Sequence, residues 1–305
     1  MSENIAHVAL LEDALRLIQT SPSLTGAFRE TARTQAAACR LGSITRWGDR
    51  FTVGLLERIR GEWPDPEKRT EAAKRLAFVL GWLSHRAADR QVKPLIRQVE
   101  PEPERLPRES TIYHDAAVYR NVFQGRSDDP YLGVFDGQSG QPIDREPTLE
   151  AASRLAQTLL QAQLIRLHTL IPEPEDVWAW IGNVTQRVQK FNDVLPRYAA
   201  AILAPDPDKW RSYVEEPNYY DGADPIVAEA RQLHEKFGLQ VPEGAAEVNL
   251  DSLLAAPVRG HYGEALQLGL TYTRAASRFF DEAIDADALH EAFKIGVPGR
   301  DGLGV

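Results

Sequence analysis

Between Leu76 and Ser84 the chain carries no charged residue, and its apolar side chains run all the way round a helix. Leu76, Leu80 and Leu83 lie on one side, Phe78 and Trp82 on the other. A helix that is apolar on every side belongs in a protein interior. The uncharged run ends at His85, and Asp89 stands one helical turn further on, so an imidazole and a carboxylate project the same way. A carboxylate that continues a buried face requires a cation, a proton or a hydrogen-bond donor beside it. The segment from Gly81 to Pro94 is thus the place where core and chemistry meet, and its spacing suits a pair of metal ligands.

The bulk composition narrows the partners. With 305 residues, 43% of them hydrophobic and 26% charged, the chain is long enough for one large core or two modest ones. A formal net charge of −9 argues against holding nucleic acid by general electrostatic attraction. The single cysteine, Cys39, cannot form an internal disulfide and excludes a purely thiolate zinc site. The first residues lack a basic region followed by an apolar run, and no span reaches transmembrane length, so the expected location is the cytoplasm.

Periodicity and breakers predict helices over 5–20, 24–40 and 51–60. Gly42 and Gly48 are expected to interrupt the second of these and to leave Asp49 in a loop. Pro64-Asp65-Pro66 opens the central helix, 67–99, which Pro94 should kink or end. Ser110 is the expected N-cap of a helix over 110–123. The Gly- and Pro-rich stretch 124–147 reads as a long loop, with a hairpin at 134–140, suited to serve as a lid or site wall. Helices resume at 148–171, 173–203, 224–237 and 261–282, with an irregular connection at 204–224 and a loose tail at 296–305. Without an internal repeat, a strand-rich region or an interdomain linker, the expectation is a single all-α domain over 1–295, built round the central helix.

Five residues in the first 115 mix imidazole with carboxylate: His7, Asp49, His85, Asp89 and His114. Zinc, iron and manganese all accept such a set. The string Gly81-x-x-x-His85-x-x-x-Asp89-x-x-x-x-Pro94, with His7 on a first helix, a Leu41-Gly42-x-Ile44-x-x-x-x-Asp49 loop and a later helix bearing His114, resembles the zinc-dependent phospholipase C family and its single-strand-nuclease relatives. The resemblance covers about the first 125 residues and implies an all-helical phosphodiesterase with a zinc cluster. Departures from the pattern reduce the ion count. The chain begins with Met1 six residues ahead of His7, residues 50–84 contain no histidine, none lies between Asp89 and His114, and Val118 stands where a glutamate would follow His114 by one turn. The expectation is one or two zinc-like ions held by His7, Asp49, His85 and Asp89, with His114 an outlying ligand or base.

On this reading Asp49 and Asp89 bridge ions or orient a water, and a metal-bound hydroxide attacks a phosphoester. Arg86, Arg90, Lys93 and Arg97 form a cationic stripe beside the pair, and Arg86 and Arg90 are the candidates to hold an anionic substrate. Each motif also has a plainer meaning: a hydrogen-bonded His/Asp pair, a carboxylate capping a helix at Asp49, a core histidine at His7, a solvated charged face. Two further functions therefore stand beside the hydrolase. One is a helical scaffold or binding protein whose metal site is reduced or lost; the other is a metalloenzyme of different chemistry using iron or manganese.

Overall fold

A computed structural model describes residues 4–44, 48–127 and 196–294. All the regular elements among these residues are helical, as expected of an all-α chain, and no described helix is long and apolar enough to cross a membrane. The loop expected at 124–147 beyond Ser127, the helix at 148–171, most of that at 173–203 and the tail at 296–305 lie outside the described residues.

The chain enters with helix α1 (Asn4–Thr20), followed by α2 (Gly26–Thr34), α3 (Ala36–Ile44), a short 3-10 turn (Gly48–Arg50), α4 (Thr52–Glu62) and the long α5 (Pro66–Val99). Asp65 caps α5 by accepting the amide of Glu67 at 3.0 Å, and Pro66 occupies the first turn, where no amide partner is needed. All residues from Arg75 to Ala88 are buried, which follows from the uncharged run. Pro94 does not end the helix, which continues to Val99.

Two glycines explain how closely α3 lies on α5. A Cβ on Gly81 would overlap the main-chain oxygen of Cys39, and one on Gly42 would overlap that of Phe78. Gly42 is therefore not the helix breaker that its sequence context suggested; it sits inside α3, at a crossing where only hydrogen fits. The expected single helix over 24–40 is instead two, divided at Gln35.

α1 is more deeply buried than α5: every side chain from Ile5 to Thr20 is covered, whereas α5 exposes both ends. Its burial includes charge. Arg16 donates to Asp13 at 2.7 Å and to the carbonyl of Gly238 at 3.0 Å, while the Tyr262 hydroxyl donates to the other Asp13 oxygen at 2.7 Å. Burial pushes the Asp13 carboxyl up, against the pull of the Arg16 guanidinium.

Helix α6 (Glu109–Val118), extended by a π turn (Tyr119–Phe123), packs mainly along α1 and touches α5. Its start is held by the Glu100 carboxylate, which accepts the amides of Glu109 at 3.1 Å and Ser110 at 2.8 Å, so the cap comes from the end of α5 and not from Ser110. The remaining elements are α7 (196–203), α8 (Pro207–Trp210) running into a π turn (Arg211–Glu215), α9 (Pro225–Phe237), α10 (Leu250–Ala255), α11 (His261–Phe280) and α12 (Ala286–Phe293). Thus the stretch 204–224, read as irregular, carries helical turns at Pro207–Glu215. α11 lies against α5, and α12 packs on α11.

Candidate metal centre

His85 and Asp89 face the same way from α5 because four residues make one turn, and His7 meets them from the N-terminal half of α1. The rings of His7 and His85 are 4.4 Å apart, edge to face, with both residues buried. His85 Nε2 lies 3.3 Å from Asp89 Oδ2, and His7 Nε2 lies 3.6 Å from Asp89 Oδ1. Among the described residues these three form the group whose ligand atoms all fall within 4.8 Å of one another. Donors bound to one tetrahedral ion at roughly 2.0–2.1 Å sit roughly 3.3 Å from each other, close to the two separations seen.

The donor chemistry of the trio is unbalanced without a cation. His85 Nδ1 is 2.9 Å from the carbonyl oxygen of Ser43, which can only accept. Its Nε2 faces the Asp89 carboxylate, again an acceptor. Burial, reinforced by the His7 ring, pushes His85 down to about 4, against the pull of Asp89 and the Ser43 carbonyl, so at neutral pH the ring holds a single proton. With that proton given to Ser43, a lone pair on Nε2 would confront a carboxylate oxygen; with it given to Asp89, a lone pair on Nδ1 would confront the Ser43 carbonyl. Neither ring nitrogen of His7 has a hydrogen-bond partner, nor has Asp89 Oδ1, although all are buried. Burial alone would raise the Asp89 carboxyl, but the two imidazoles hold it far below the usual carboxylate range. A divalent ion among His7 Nε2, His85 Nε2 and Asp89 would answer each of these, with the His85 proton on Nδ1, donated to the Ser43 carbonyl, and Nε2 left to the metal.

The other candidates are placed elsewhere. Asp49, expected in a loop, lies in the short 3-10 turn Gly48–Arg50, and its side chain is half exposed and pairs with Arg86. It is not within the trio, so the expected fourth ligand and second catalytic carboxylate is committed to a guanidinium. His114 is buried on α6, stacked on Tyr219 at 3.9 Å with the planes 5° apart, and its Nε2 lies 2.9 Å from the Tyr213 carbonyl. It too is separate from the trio. Arg86 donates to the carbonyls of Phe293 at 2.9 Å and Lys294 at 2.8 Å, and Arg90 also reaches the Lys294 carbonyl. These two arginines, read as substrate-binding, hold the C-terminal end of α12.

One participant was not singled out from the stripe: Lys93, whose ammonium pairs with Asp89 Oδ2 and is about half exposed. Its signal was present, since 89 and 93 repeat the spacing of 85 and 89. The Ser43 carbonyl carries no such signal, because a main-chain oxygen can come from any residue.

No family model matches this chain, and neither a curated protein sequence nor a solved structure matches it.

Proposed function

We propose that this protein is a metal-dependent hydrolase of phosphoesters in the cytoplasm, with His7, His85 and Asp89 holding one divalent ion. The observation that carries the reading is the buried His85 ring, which faces acceptors on both nitrogens beside a His7 ring that has no hydrogen-bond partner. When bound, the ion would supply an activated water and neutralise charge on an ester oxygen. The chain's own residues would do the rest. The Ser43 carbonyl orients His85, Asp89 provides the negative charge that retains a cation, and Lys93 lies at the exposed edge of the trio, where a phosphoryl group would meet it. The resemblance to the zinc-dependent phospholipase C family belongs to this proposal and rests on His7, Gly81, His85, Asp89 and Pro94. Two imidazoles and one carboxylate also suit iron or manganese.

A second reading has its own support. Lys93 already compensates Asp89, so the trio can persist as a polar network within a helical scaffold. Elemental analysis of protein purified with neither added metal nor chelator separates the two. The hydrolase reading expects about one zinc-like ion per chain, cleavage of bis(4-nitrophenyl) phosphate, and loss of both on chelation or in His85→Ala. Folded protein that takes up no ion when zinc, iron or manganese is added, and leaves the diester intact, would favour the scaffold.

A further inference from the structure

We propose that a divalent ion and a phosphate monoester bind the trio as a coupled pair, Lys93 passing from Asp89 to the phosphoryl group as the ion arrives. The inference rests on the metal reading of His7, His85 and Asp89, and it names the class of phosphoester that the loaded centre favours. The two histidines are almost closed to solvent, whereas the Asp89 side chain is 17% exposed and that of Lys93 47%. An anion therefore reaches the centre along the edge that Asp89 and Lys93 form. Asp115, which accepts the amide of Ala6 next to His7, is wholly buried and also takes the Tyr198 hydroxyl, so it does not belong to that edge. Of the neighbouring cations of α5, Arg86 pairs with Asp49 and Arg90 is held at the Lys294 carbonyl.

Charge decides what this edge accepts. Without an ion the Asp89 carboxylate and the Lys93 ammonium cancel, and Asp89 is the partner of that ammonium among the described residues. A divalent ion held by two neutral imidazoles and the same carboxylate leaves the group with two net positive charges. The carboxylate is then committed to the ion, and the ammonium faces a like charge across it. A flexible four-carbon stem, nearly half exposed, lets the ammonium turn outward without disturbing α5. Ion and ammonium together match the two charges that a phosphate monoester carries above its second pKa, about 6. A diester carries one charge and meets half of that demand. Anion and ion thus each favour the other, and linkage requires the anion to tighten the ion by the same factor as the ion tightens the anion.

Titration with cobalt(II), followed by its visible absorption, tests the coupling at about pH 8, where methyl phosphate is a dianion and dimethyl phosphate a monoanion. Methyl phosphate should tighten cobalt binding by about tenfold, and dimethyl phosphate by about threefold or less. In Lys93→Gln, a change at a half-exposed position, the ion should bind at least as tightly as in the unsubstituted protein, because its competitor for Asp89 is gone. The gain from methyl phosphate should nevertheless fall there to about threefold or less. Complexation of free cobalt by the anion is common to both proteins and cancels in their comparison. Three results would each overturn the coupled pair while leaving the metal reading in place: cobalt uptake with no gain from methyl phosphate, an equal gain from dimethyl phosphate, or a gain undiminished in Lys93→Gln. Absence of cobalt uptake in both proteins overturns the metal reading and the coupled pair together.

Discussion

Gly81 of α5 lies so close to the main-chain oxygen of Cys39 that no side chain fits between them. The same approach brings the Ser43 carbonyl, one turn further along α3, onto His85. Gly81→Ala should therefore cost about 3 kcal/mol of stability, since the obstacle is backbone and cannot swing aside. Urea denaturation measures it. Because α3 would be forced outward, metal uptake should fall in the same variant, and a fully stable Gly81→Ala protein would contradict the close crossing.

The separation of His114 from the trio gives a contrast between two buried histidines. His85→Ala and His7→Ala should abolish metal uptake, whereas His114→Ala should retain it and lose about 1–3 kcal/mol of stability through its ring stack and the Tyr213 carbonyl. Loss of the ion in His114→Ala would mean that α6 reaches the centre after all.

Lys93 and an incoming cation compete for Asp89 Oδ2. Removing the ammonium in Lys93→Ala should tighten metal binding by about three- to tenfold, as expected for a partly exposed charge at contact distance. Competition with a chromophoric chelator would read this directly. Weaker binding in the variant would show that Lys93 supports the site instead of guarding it.

Acid should loosen the protein in a definite window. His85 is held at about 4 in the folded state against an ordinary value of 6.5, so the unfolded chain takes up a proton that the folded chain refuses. The associated stability is fully present above pH 6.5 and is lost as the pH falls towards 4, by about 3 kcal/mol in all. Asp89, whose carboxyl is held down, adds to the loss at still lower pH. Urea midpoints should fall across this window, and in His85→Ala most of that slope should vanish. A midpoint that is flat between the two pH values in the unsubstituted protein would contradict a depressed His85.

Tyr262→Phe removes the hydroxyl that satisfies one oxygen of buried Asp13. The expected cost is about 1–3 kcal/mol, read from the denaturation midpoint. Asp13→Asn in the same background should recover part of it, since the amide no longer presents a buried negative charge.

The uncharged run from Leu76 to Ser84 made the interior helix legible, and i, i+4 spacing made the His85/Asp89 pair legible, because both are properties of one helix and need no partner. His7 joined them through the pattern of a second helix. What packs on a face is not written in its spacing. Asp49 and Arg86 were assigned to different roles, one to a metal and the other to substrate, yet they pair with each other across the segment from the short turn to α5. Gly42 read as a breaker because a glycine that admits a neighbouring backbone and a glycine that ends a helix look alike in one sequence. The buried charges of α1 were equally hidden: Glu12, Asp13 and Arg16 resemble the wet side of an amphipathic helix until the elements that enclose them are in place.

Those enclosing elements come late. Arg16 bonds to Gly238, Gln19 to Leu239 and Val241, Thr20 to Val248 and Asp13 to Tyr262, each more than two hundred residues away. During synthesis the side of α1 that bears Asp13, Arg16, Gln19 and Thr20 must therefore wait until the chain has grown past residue 262, whereas α2, α3, α5 and α6, which pack on other parts of it, are made much earlier. Contacts of such separation slow folding and lengthen the time in which a sticky segment is available to other chains. A helix with all of its side chains from Ile5 to Thr20 buried in the native protein thus keeps one side in need of shelter, from a chaperone or from neighbouring nascent structure, while the polypeptide is still being made.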